Sequence, residues 1–486
     1  MVKFFSKMSS KYKSMNIAIK ASLWFTICSI LQKGISVITL PIFTRMMNTD
    51  QYGQYSIFQT WYNIFIIIIT LNIHQEIFNK GLSDNEKCRD KFMCNQAGLL
   101  FFLIVFFCSV YLLLHNIIND LTGLTITLVL VMMLEILSNA LIGLWSARKR
   151  FEFDYRKIVI LTLIMSVLNP IIGIFAVYIS KDKAMARIIS NAIVPIVVAL
   201  VIVIVLRKKD KFFSNFFWWK DSILKSLPLI PHYLSLVLLN QSDKLMIDYF
   251  GNTSQAGIYA VAHSSGLLMT IINNSINGSF VPWAYDKLKN KNGENIKNVS
   301  NVIMLIVLLC NLVLIWFAPE LIKILAAPEY YDAIWCLVPI ASSVFFYFVY
   351  MLFVDIEIYY GENKYVAIAS VFAAITNIIL NYIFIPIYGY FAAGYTTLFS
   401  YFLTMLLHYI FMKRTLRKNK IKNKLFDEKV ILLLTIVLIF SSTIAILLYD
   451  NSMVRIIISL IIIFVLGLKH NKIINTFKII KNKDNI

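Results

Sequence analysis

Charged residues are scarce in this sequence. Asp, Glu, Lys and Arg make up 15% of its 486 residues, whereas hydrophobic residues make up 59%. A soluble domain carries about 25% charged residues. The shortage therefore excludes an ordinary soluble protein, and the positive mean hydropathy predicts a polytopic membrane protein. Acidic residues are fewer than basic residues, 26 against 46.

Cysteines are few, and long loops are missing. The six cysteines lack the spacing of a disulfide framework or a metal site, so we interpret them as small buried hydrophobic residues. No metal or cofactor is predicted. The longest predicted connections, 319–332 outside and 207–226 inside, are too short to fold as separate domains. We therefore expect the function to reside within the bilayer.

Fourteen apolar segments are long enough, or nearly so, to span about 30 Å of hydrocarbon. They cover residues 18–42, 55–73, 93–115, 121–146, 158–179, 184–206, 227–250, 255–281, 299–318, 333–358, 365–387, 391–412, 430–448 and 453–468.

Basic residues test this count, because Lys and Arg concentrate in cytoplasmic loops. With both termini in the cytoplasm, most of the 46 basic residues fall on the cytoplasmic side. Lys33 and Lys244 lie within the membrane. The net charge of +20 is thus an insertion signal and does not indicate nucleic-acid binding. The basic residues predicted on the outer side are Arg45, Lys181, Lys183, Arg187, Lys323 and Arg455.

An internal repeat divides the chain. Tyr52-Gly53-Gln54-Tyr55 after the first helix matches Ala256-Gly257-Ile258-Tyr259 after the seventh, at an offset of 204 residues. An even number of helices per repeat predicts parallel repeats. We predict an all-α fold with a six-helix lobe over residues 1–210, a second six-helix lobe over 211–424, and two additional helices with a cytoplasmic tail over 425–486.

Ionisable residues stand inside predicted helices. Asp243 and Lys244 are adjacent in the seventh segment, Lys33 lies in the first, and Glu135 lies in the fourth. A charge at the bilayer centre costs about 2.5–3.5 kcal/mol on insertion scales, so such residues usually face a transport pathway. Helix neighbours point in different directions, so Asp243 and Lys244 each need another partner. A transport protein is the prediction.

Neutral polar residues form stripes on several helices. The second helix carries Gln59 and Asn63, and the eighth carries His263, Asn274 and Asn277. These stripes have two interpretations: they line a cavity, or they hydrogen-bond between helices and hold the bundle together. In the tenth helix, Asp355 and Glu357 point to different faces at i,i+2 spacing, which favours an interfacial or gate-like role over metal binding. His408 is interpreted as an interfacial or packing residue.

The sequence resembles a known family. Pro41-Ile-Phe-Thr-Arg45 followed by Tyr52-Gly53-x-Tyr55 is similar to the entry motif of bacterial polysaccharide-unit flippases. Asn240-x-x-Asp243-Lys244 followed by Gly257-x-Tyr259 is similar as well. These are the Wzx-type O-antigen and capsule transporters, in the superfamily that also contains the MATE drug exporters.

The resemblance implies a multi-pass protein of the bacterial inner membrane that is not an enzyme. It implies flipping of an undecaprenyl-diphosphate-linked oligosaccharide to the outer leaflet by alternating access, for O-antigen, capsule or exopolysaccharide synthesis. The partners it implies are this lipid-linked oligosaccharide and membrane lipids. Polysaccharide polymerase and chain-length machinery are candidate partners.

An anionic lipid diphosphate needs cations at membrane depth, and Lys33, Arg45 and Lys244 are the candidates. Sugars need neutral hydrogen-bonding surface. Asp243 and Glu135 are candidate coupling acids, or structural partners of a cation; the lysines are equally open to a structural ion pair. The candidate sugar-contacting residues are Gln59, Asn63, Asn240, His263, Asn274, Asn277 and Asn377.

Two other functions compete with this one. A MATE-like small-molecule or drug antiporter predicts acids in the cavity, but the first helix carries a cation instead. A membrane enzyme such as a polymerase or glycosyltransferase usually needs a sizeable outer loop with catalytic groups. No such loop is predicted here, so the flippase is the leading hypothesis.

Overall fold

A computed structural model describes residues 17–208, 215–290, 293–421 and 424–468. Within these ranges the chain forms helices and contains no strand. The prediction of an all-α fold is confirmed. The helices are α1 (Ile17–Met46), α2 (Thr49–Thr70), α3 (Glu76–Asp84), α4 (Arg89–Thr122), α5 (Ile126–Phe151), α6 (Tyr155–Ile179), α7 (Lys183–Arg207), α8 (Phe216–Ser226), α9 (Ile230–Phe250), α10 (Thr253–Gly266), α11 (Leu268–Lys289), α12 (Gly293–Trp316), α13 (Ala318–Leu325), α14 (Ala333–Tyr359), α15 (Asn363–Tyr388), α16 (Phe391–Lys418), α17 (Glu428–Leu447) and α18 (Ser452–Leu468).

All fourteen predicted apolar segments fall on helices. Ten described helical stretches are long and apolar enough to cross a membrane by length and composition. Their outer faces carry exposed large apolar side chains such as Leu113 and Phe175, as a lipid-facing surface requires. The polytopic character predicted from the sequence is therefore confirmed.

The eighth predicted segment, 255–281, differs from the expectation because it is two helices. α10 ends at Gly266 and α11 begins at Leu268. The small residues Ser264, Ser265 and Gly266 stand at this point, and serine and glycine are weaker helix formers than alanine or leucine. The break separates His263 from the polar residues of α11.

The chain forms two compact units. The first contains Met1–Met47 and Ile57–Leu234, and the second contains Asn48–Ser56 and Ser235–Ile486. In the first unit, α7 packs against both α5 and α6, and α1 packs against α6. In the second unit, α14 is the most deeply buried span and packs along α16. The predicted lobe boundaries at 210/211 and 424/425 stay a prediction.

Two of the basic residues predicted on the outer side are buried within helices instead. Arg187 is in α7 and Arg455 is in α18, and their exposed fractions are 9% and 3%. Arg455 Nη1 pairs with Glu320 Oε2 of α13 at 2.7 Å and also donates to the carbonyl of Trp316. This ion pair links α18 to α13 within the second unit.

The two copies of the sequence repeat contact each other within the second unit. Gly53 lies against the backbone of Thr253, and Gly257 lies against the backbone of Thr49. A Cβ atom at either glycine would overlap the facing carbonyl oxygen. The offset of 204 residues relates both pairs, so the contact is reciprocal. Ser254 Oγ reinforces it with a 2.7 Å hydrogen bond to Thr49 Oγ1.

Candidate functional site

Asp243 lies at the centre of a buried polar network in the second unit. Its side chain is 1% exposed in α9. Tyr259 of α10 and Thr397 of α16 donate hydroxyl hydrogen bonds to Oδ2, at 2.5 and 2.7 Å. Asn381 of α15 donates an amide hydrogen bond to Oδ1 at 2.6 Å. Three neutral donors from three helices therefore satisfy a carboxyl group that burial would otherwise penalise.

Asn377 belongs to this network rather than to a cavity wall. It is fully buried, and its Oδ1 accepts a hydrogen bond from Asn381 at 3.2 Å. Its amide donates to Thr397 Oγ1 at 3.3 Å. Thr396 in turn donates to Asn381. Asn377 thus orients the groups that bind Asp243, and its predicted contact with sugar stays a prediction.

Lys244 points away from Asp243, as expected for helix neighbours. Its exposed fraction is 8%, and Nζ donates a 2.8 Å hydrogen bond to Gln241 Oε1, one turn earlier in α9. The described residues include no ion pair between Lys244 and Asp243. Asp243 still acts electrostatically on Lys244, so the interpretation of the two residues as a structural pair stays a hypothesis.

A cavity of about 230 Å³ opens beside Asp243. It brings together four residues singled out from the sequence, namely Asn240, Asp243, His263 and Asn274. Tyr401 donates to Asn240 Oδ1 at 2.7 Å, which fixes the amide in the wall. The full lining is Leu239, Asn240, Asp243, His263, Leu267, Thr270, Asn274, Ile340, Ser343, Val344, Tyr347, Thr397 and Tyr401.

Asn277, the other predicted residue of α11, lies outside this lining. It is 8% exposed, and its side chain lies near the carboxyl group of Asp355 in α14. Asp355 and Glu357 do point to different faces, because Glu357 contacts His408 of α16 instead. The two interpretations of the polar stripe therefore both apply: Asn274 lines a cavity and Asn277 bonds between helices.

In the first unit, Glu135 is held by an amide. Its side chain is 2% exposed in α5, and Asn191 of α7 donates to Oε1 at 2.8 Å. Arg187, one turn earlier in α7, acts electrostatically on Glu135 and stacks over the Phe43 ring at 4.0 Å. Sequence reasoning missed Arg187, because it stands near the start of the predicted span 184–206 and was counted with the basic residues of the outer side.

The remaining predicted residues of the first unit are less enclosed. Lys33 is half-buried in α1, whereas Arg45 is exposed at the end of that helix and donates to the carbonyl of Pro41 at 2.9 Å. Gln59 and Asn63 are half-buried in α2. Arg45 therefore has the geometry of an interfacial residue. Roles in substrate binding stay predictions for all four.

Sequence reasoning also missed the contribution of α16. Thr397, Tyr401, Thr404 and His408 recur at helical spacing in an otherwise apolar span, and Thr404 and His408 are almost fully buried. The i, i+4 pattern of polar residues was a usable signal. What could not be read from it was the partner of each group, since Asp243 is 154 residues away from Thr397.

Comparison with known proteins agrees with this picture. A family model described as polysaccharide biosynthesis protein matches residues 18–288, more than half of the chain. The chain is 27% identical over 157 residues to "Lsg locus putative protein 1" of Haemophilus influenzae, covering 31% of this chain. It spans only 38% of that relative's length.

Two solved structures share the fold. The structure titled lipid II flippase MurJ, inward closed conformation, has a TM-score of 0.67 at 15% identity and covers 93% of this chain and 100% of its own. An inward-facing multidrug resistance MATE family transporter of the MOP superfamily has a TM-score of 0.64 at 15% identity, covering 83% and 100%. The resemblance stated from the sequence motifs is thus confirmed. This multi-pass membrane protein, with the fold of the MurJ and MATE transporters, belongs to the polysaccharide biosynthesis protein family.

Proposed function

We propose that this protein flips undecaprenyl-diphosphate-linked oligosaccharide units from the cytoplasmic to the outer leaflet of the bacterial inner membrane by alternating access. The units would serve O-antigen, capsule or exopolysaccharide synthesis. The observation that carries the proposal is the polar cavity beside Asp243, in a chain of a polysaccharide biosynthesis family. The shared fold with a lipid II flippase supports a lipid-linked substrate.

The cavity has the chemistry that a sugar requires. Asn240 and Asn274 offer amide groups that both donate and accept, and Tyr347 and Tyr401 offer aromatic rings with hydroxyl groups. Sugars combine apolar ring faces with hydroxyl edges, and amphipathic aromatic side chains match both. A volume of about 230 Å³ suits one sugar ring rather than a whole repeat unit. We infer that the cavity binds one residue of the oligosaccharide.

The diphosphate needs a cation. Lys244 is buried one position from Asp243 and is held by a neutral amide, Gln241. A buried ammonium whose direct hydrogen bond goes to a neutral amide favours an incoming anion, because an anion would compensate its desolvation. Lys33 is the corresponding candidate in the first unit. Electrostatics thus favour an anionic headgroup for the substrate.

Complementation tests this function. Cells lacking their own repeat-unit flippase would express wild type, Asn274→Ala, or the control Ser275→Ala. Ser275 is exposed, adjacent in α11 and outside the cavity lining, and its hydroxyl bonds within its own helix. We expect wild type and Ser275→Ala to restore surface polysaccharide, and Asn274→Ala to accumulate lipid-linked units. If both variants complement equally well, the cavity has no role in transport.

A MATE-like small-molecule or drug antiporter is the second candidate function. The observation favouring it is the Asp243 carboxyl group in the cavity wall, which would suit a cation. Three donors of this chain already occupy both of its oxygens, however. If the wild-type protein restores no surface glycan but the cells that express it export cationic dyes, this alternative is favoured.

A further inference from the structure

Glu357 and His408 form a buried pair that the proposed transport site does not use. Glu357 is 0% exposed and His408 is 1% exposed. His408 Nδ1 lies 3.1 Å from both carboxylate oxygens, so one ring N–H is shared between them. The pair joins α14 to α16 inside the second unit. A carboxylate buried in this way is costly unless its charge is compensated.

The pair lies near the end of α14. That helix ends at Tyr359, and the backbone N–H of Glu362 in the following turn donates to the carbonyl of Glu357 at 2.9 Å. Glu362 pairs with Lys418 at 2.5 Å at the end of α16. The positive-inside pattern predicts that this end faces the cytoplasm. Glu357 is therefore close to a source of protons.

The charged and titratable groups on the surrounding elements are engaged with other partners. They are Asp355 of α14 with Asn277, Glu362 with Lys418, Lys364 and Arg414 over the ring of Tyr365, Tyr285 of α11 against Tyr359, and Lys413 of α16 with Glu428 of α17. The Glu357–His408 pair differs from these groups in that an acid and an imidazole, both almost fully buried, are in direct contact.

Stacked rings connect the pair to the cavity. The imidazole of His408 stacks on Tyr350 with centroids 5.3 Å apart, and Tyr350 stacks on Tyr401 at 6.2 Å. The Tyr401 hydroxyl donates to Asn240 in the cavity wall. All of these rings belong to α14 and α16, which pack along each other. A displacement of His408 is therefore transmitted to Tyr401 through direct contact.

We propose that Glu357 and His408 form a proton-binding site whose charge state controls the shape of the cavity. The pair with neutral imidazole carries a net charge of −1. One proton from the cytoplasmic side adds to the second ring nitrogen of His408 and gives a carboxylate–imidazolium pair of net charge 0. The reverse step returns that proton. Intramembrane acid and histidine groups commonly serve as proton relays, and imidazole titrates near neutral pH.

This inference deepens the proposed function, because it names the ion that would drive flipping. The site itself can be tested without any transport substrate. Purified protein in lipid nanodiscs, labelled with ¹³C,¹⁵N-histidine, would be followed by NMR over about pH 5 to 8, the range in which imidazole changes charge. His408→Gln assigns the resonance by difference, and Glu357→Gln preserves the shape of the acid while removing its charge.

We expect the neutral and imidazolium signals of His408 to interconvert with pH in wild type, and Glu357→Gln to change this response. Glu428→Gln is the matched control, since its exposed carboxyl group pairs with Lys413; it should leave the response of His408 to pH in place. An imidazolium signal that persists across the whole range in wild type would identify a permanent structural ion pair and overturn the proposal. So would a neutral signal across the range.

A transport assay distinguishes the proton site from the flippase function on which this inference rests. In complementing cells, Glu357→Gln should flip less than wild type and should lose no further activity when an ionophore collapses the proton gradient, whereas Glu428→Gln should behave as wild type. Failure of wild type to complement would contradict the flippase function but leave the NMR result standing. A Glu357→Gln variant that flips and responds like wild type would contradict the proton site alone.

Discussion

The hydroxyl of Tyr259 donates a 2.5 Å hydrogen bond to Asp243. Tyr259 is the last residue of the second repeat motif, and Gly257, two residues earlier, lies against the backbone of Thr49 and of Gly53 in the first motif. One short stretch of α10 therefore joins the reciprocal glycine contact to the buried carboxyl group. Any movement that separates the two motifs must also pull on Asp243.

Removing the Tyr259 hydroxyl should be costly. Tyr259→Phe leaves Asp243 with two donors, and we expect about 1–3 kcal/mol less stability, the cost of an unsatisfied buried polar group, together with reduced transport. Thermal unfolding in detergent and surface glycan measure the two effects. Tyr249→Phe is the matched control, because Tyr249 is 81% exposed. Identical behaviour of the two variants would show that the hydrogen bond has no role.

The reciprocal contact predicts a strict requirement for glycine. Gly53→Ala and Gly257→Ala place a methyl group against a backbone carbonyl that cannot move without separating the helices. We expect both to lower surface glycan, since the two motifs could no longer approach. Gly278→Ala is the control, because a Cβ there meets nothing within 4 Å. Full activity of either motif variant would contradict a functional contact.

Lys244 should act through its charge. Lys244→Ala removes a buried ammonium and should block transport while the protein still inserts, whereas Lys244→Arg should retain part of the activity because arginine also binds phosphate. Exposed Lys181→Ala serves as the control. Accumulated lipid-linked units and tagged protein in membranes are the readouts. If Lys244→Ala accumulates no units, the lysine is structural.

The ion pair of Asp427 predicts that the folded protein loses a small amount of stability in acid. Its hydrogen bond with Lys297, at 3.1 Å, lowers the pKa of the carboxyl group. Because the pKa is lower in the folded than in the unfolded state, the ionised carboxyl group stabilises the folded protein at pH values above the unfolded-state pKa, about 3.9. This stabilisation is lost as the pH falls through the folded-state pKa. Asp427→Asn keeps a cap on α17, so its unfolding temperature should converge with that of wild type in acid. A constant difference down to low pH would contradict this.

The sequence predicted the helices well because hydrophobic length and charge placement are local properties. All fourteen segments fall on helices. The repeat pointed to Gly53 and Gly257, and each of these glycines packs against the helix that carries the other. Arg187 and Arg455 were placed in loops, because a charge near a span end is ambiguous until the helix is built. Long side chains there can also be buried against aromatic rings, as Arg187 is against Phe43.

Partners across helices were beyond sequence reasoning. For Glu135 the sequence left a coupling acid and a structural partner open, and it did not indicate Asn191 as the residue that donates to the carboxyl group. Asp243 was recognised, but its donors come from three other helices far along the chain. His408 was interpreted as an interfacial or packing residue, because nothing in its neighbourhood along the sequence indicates Glu357. Periodicity identifies the polar face of a helix, and only the fold identifies what faces it.

The central claim is that the protein moves a lipid-linked oligosaccharide across a bilayer. The most direct measurement uses vesicles that contain purified protein and a fluorescent polyprenyl-diphosphate oligosaccharide, with a membrane-impermeant lectin outside. With wild type, we expect the lectin to reach nearly all of the lipid, and with Lys244→Ala only the outer-leaflet half, as in protein-free vesicles. A protected inner pool that persists with folded wild-type protein, under an imposed proton gradient of either direction, would contradict the account.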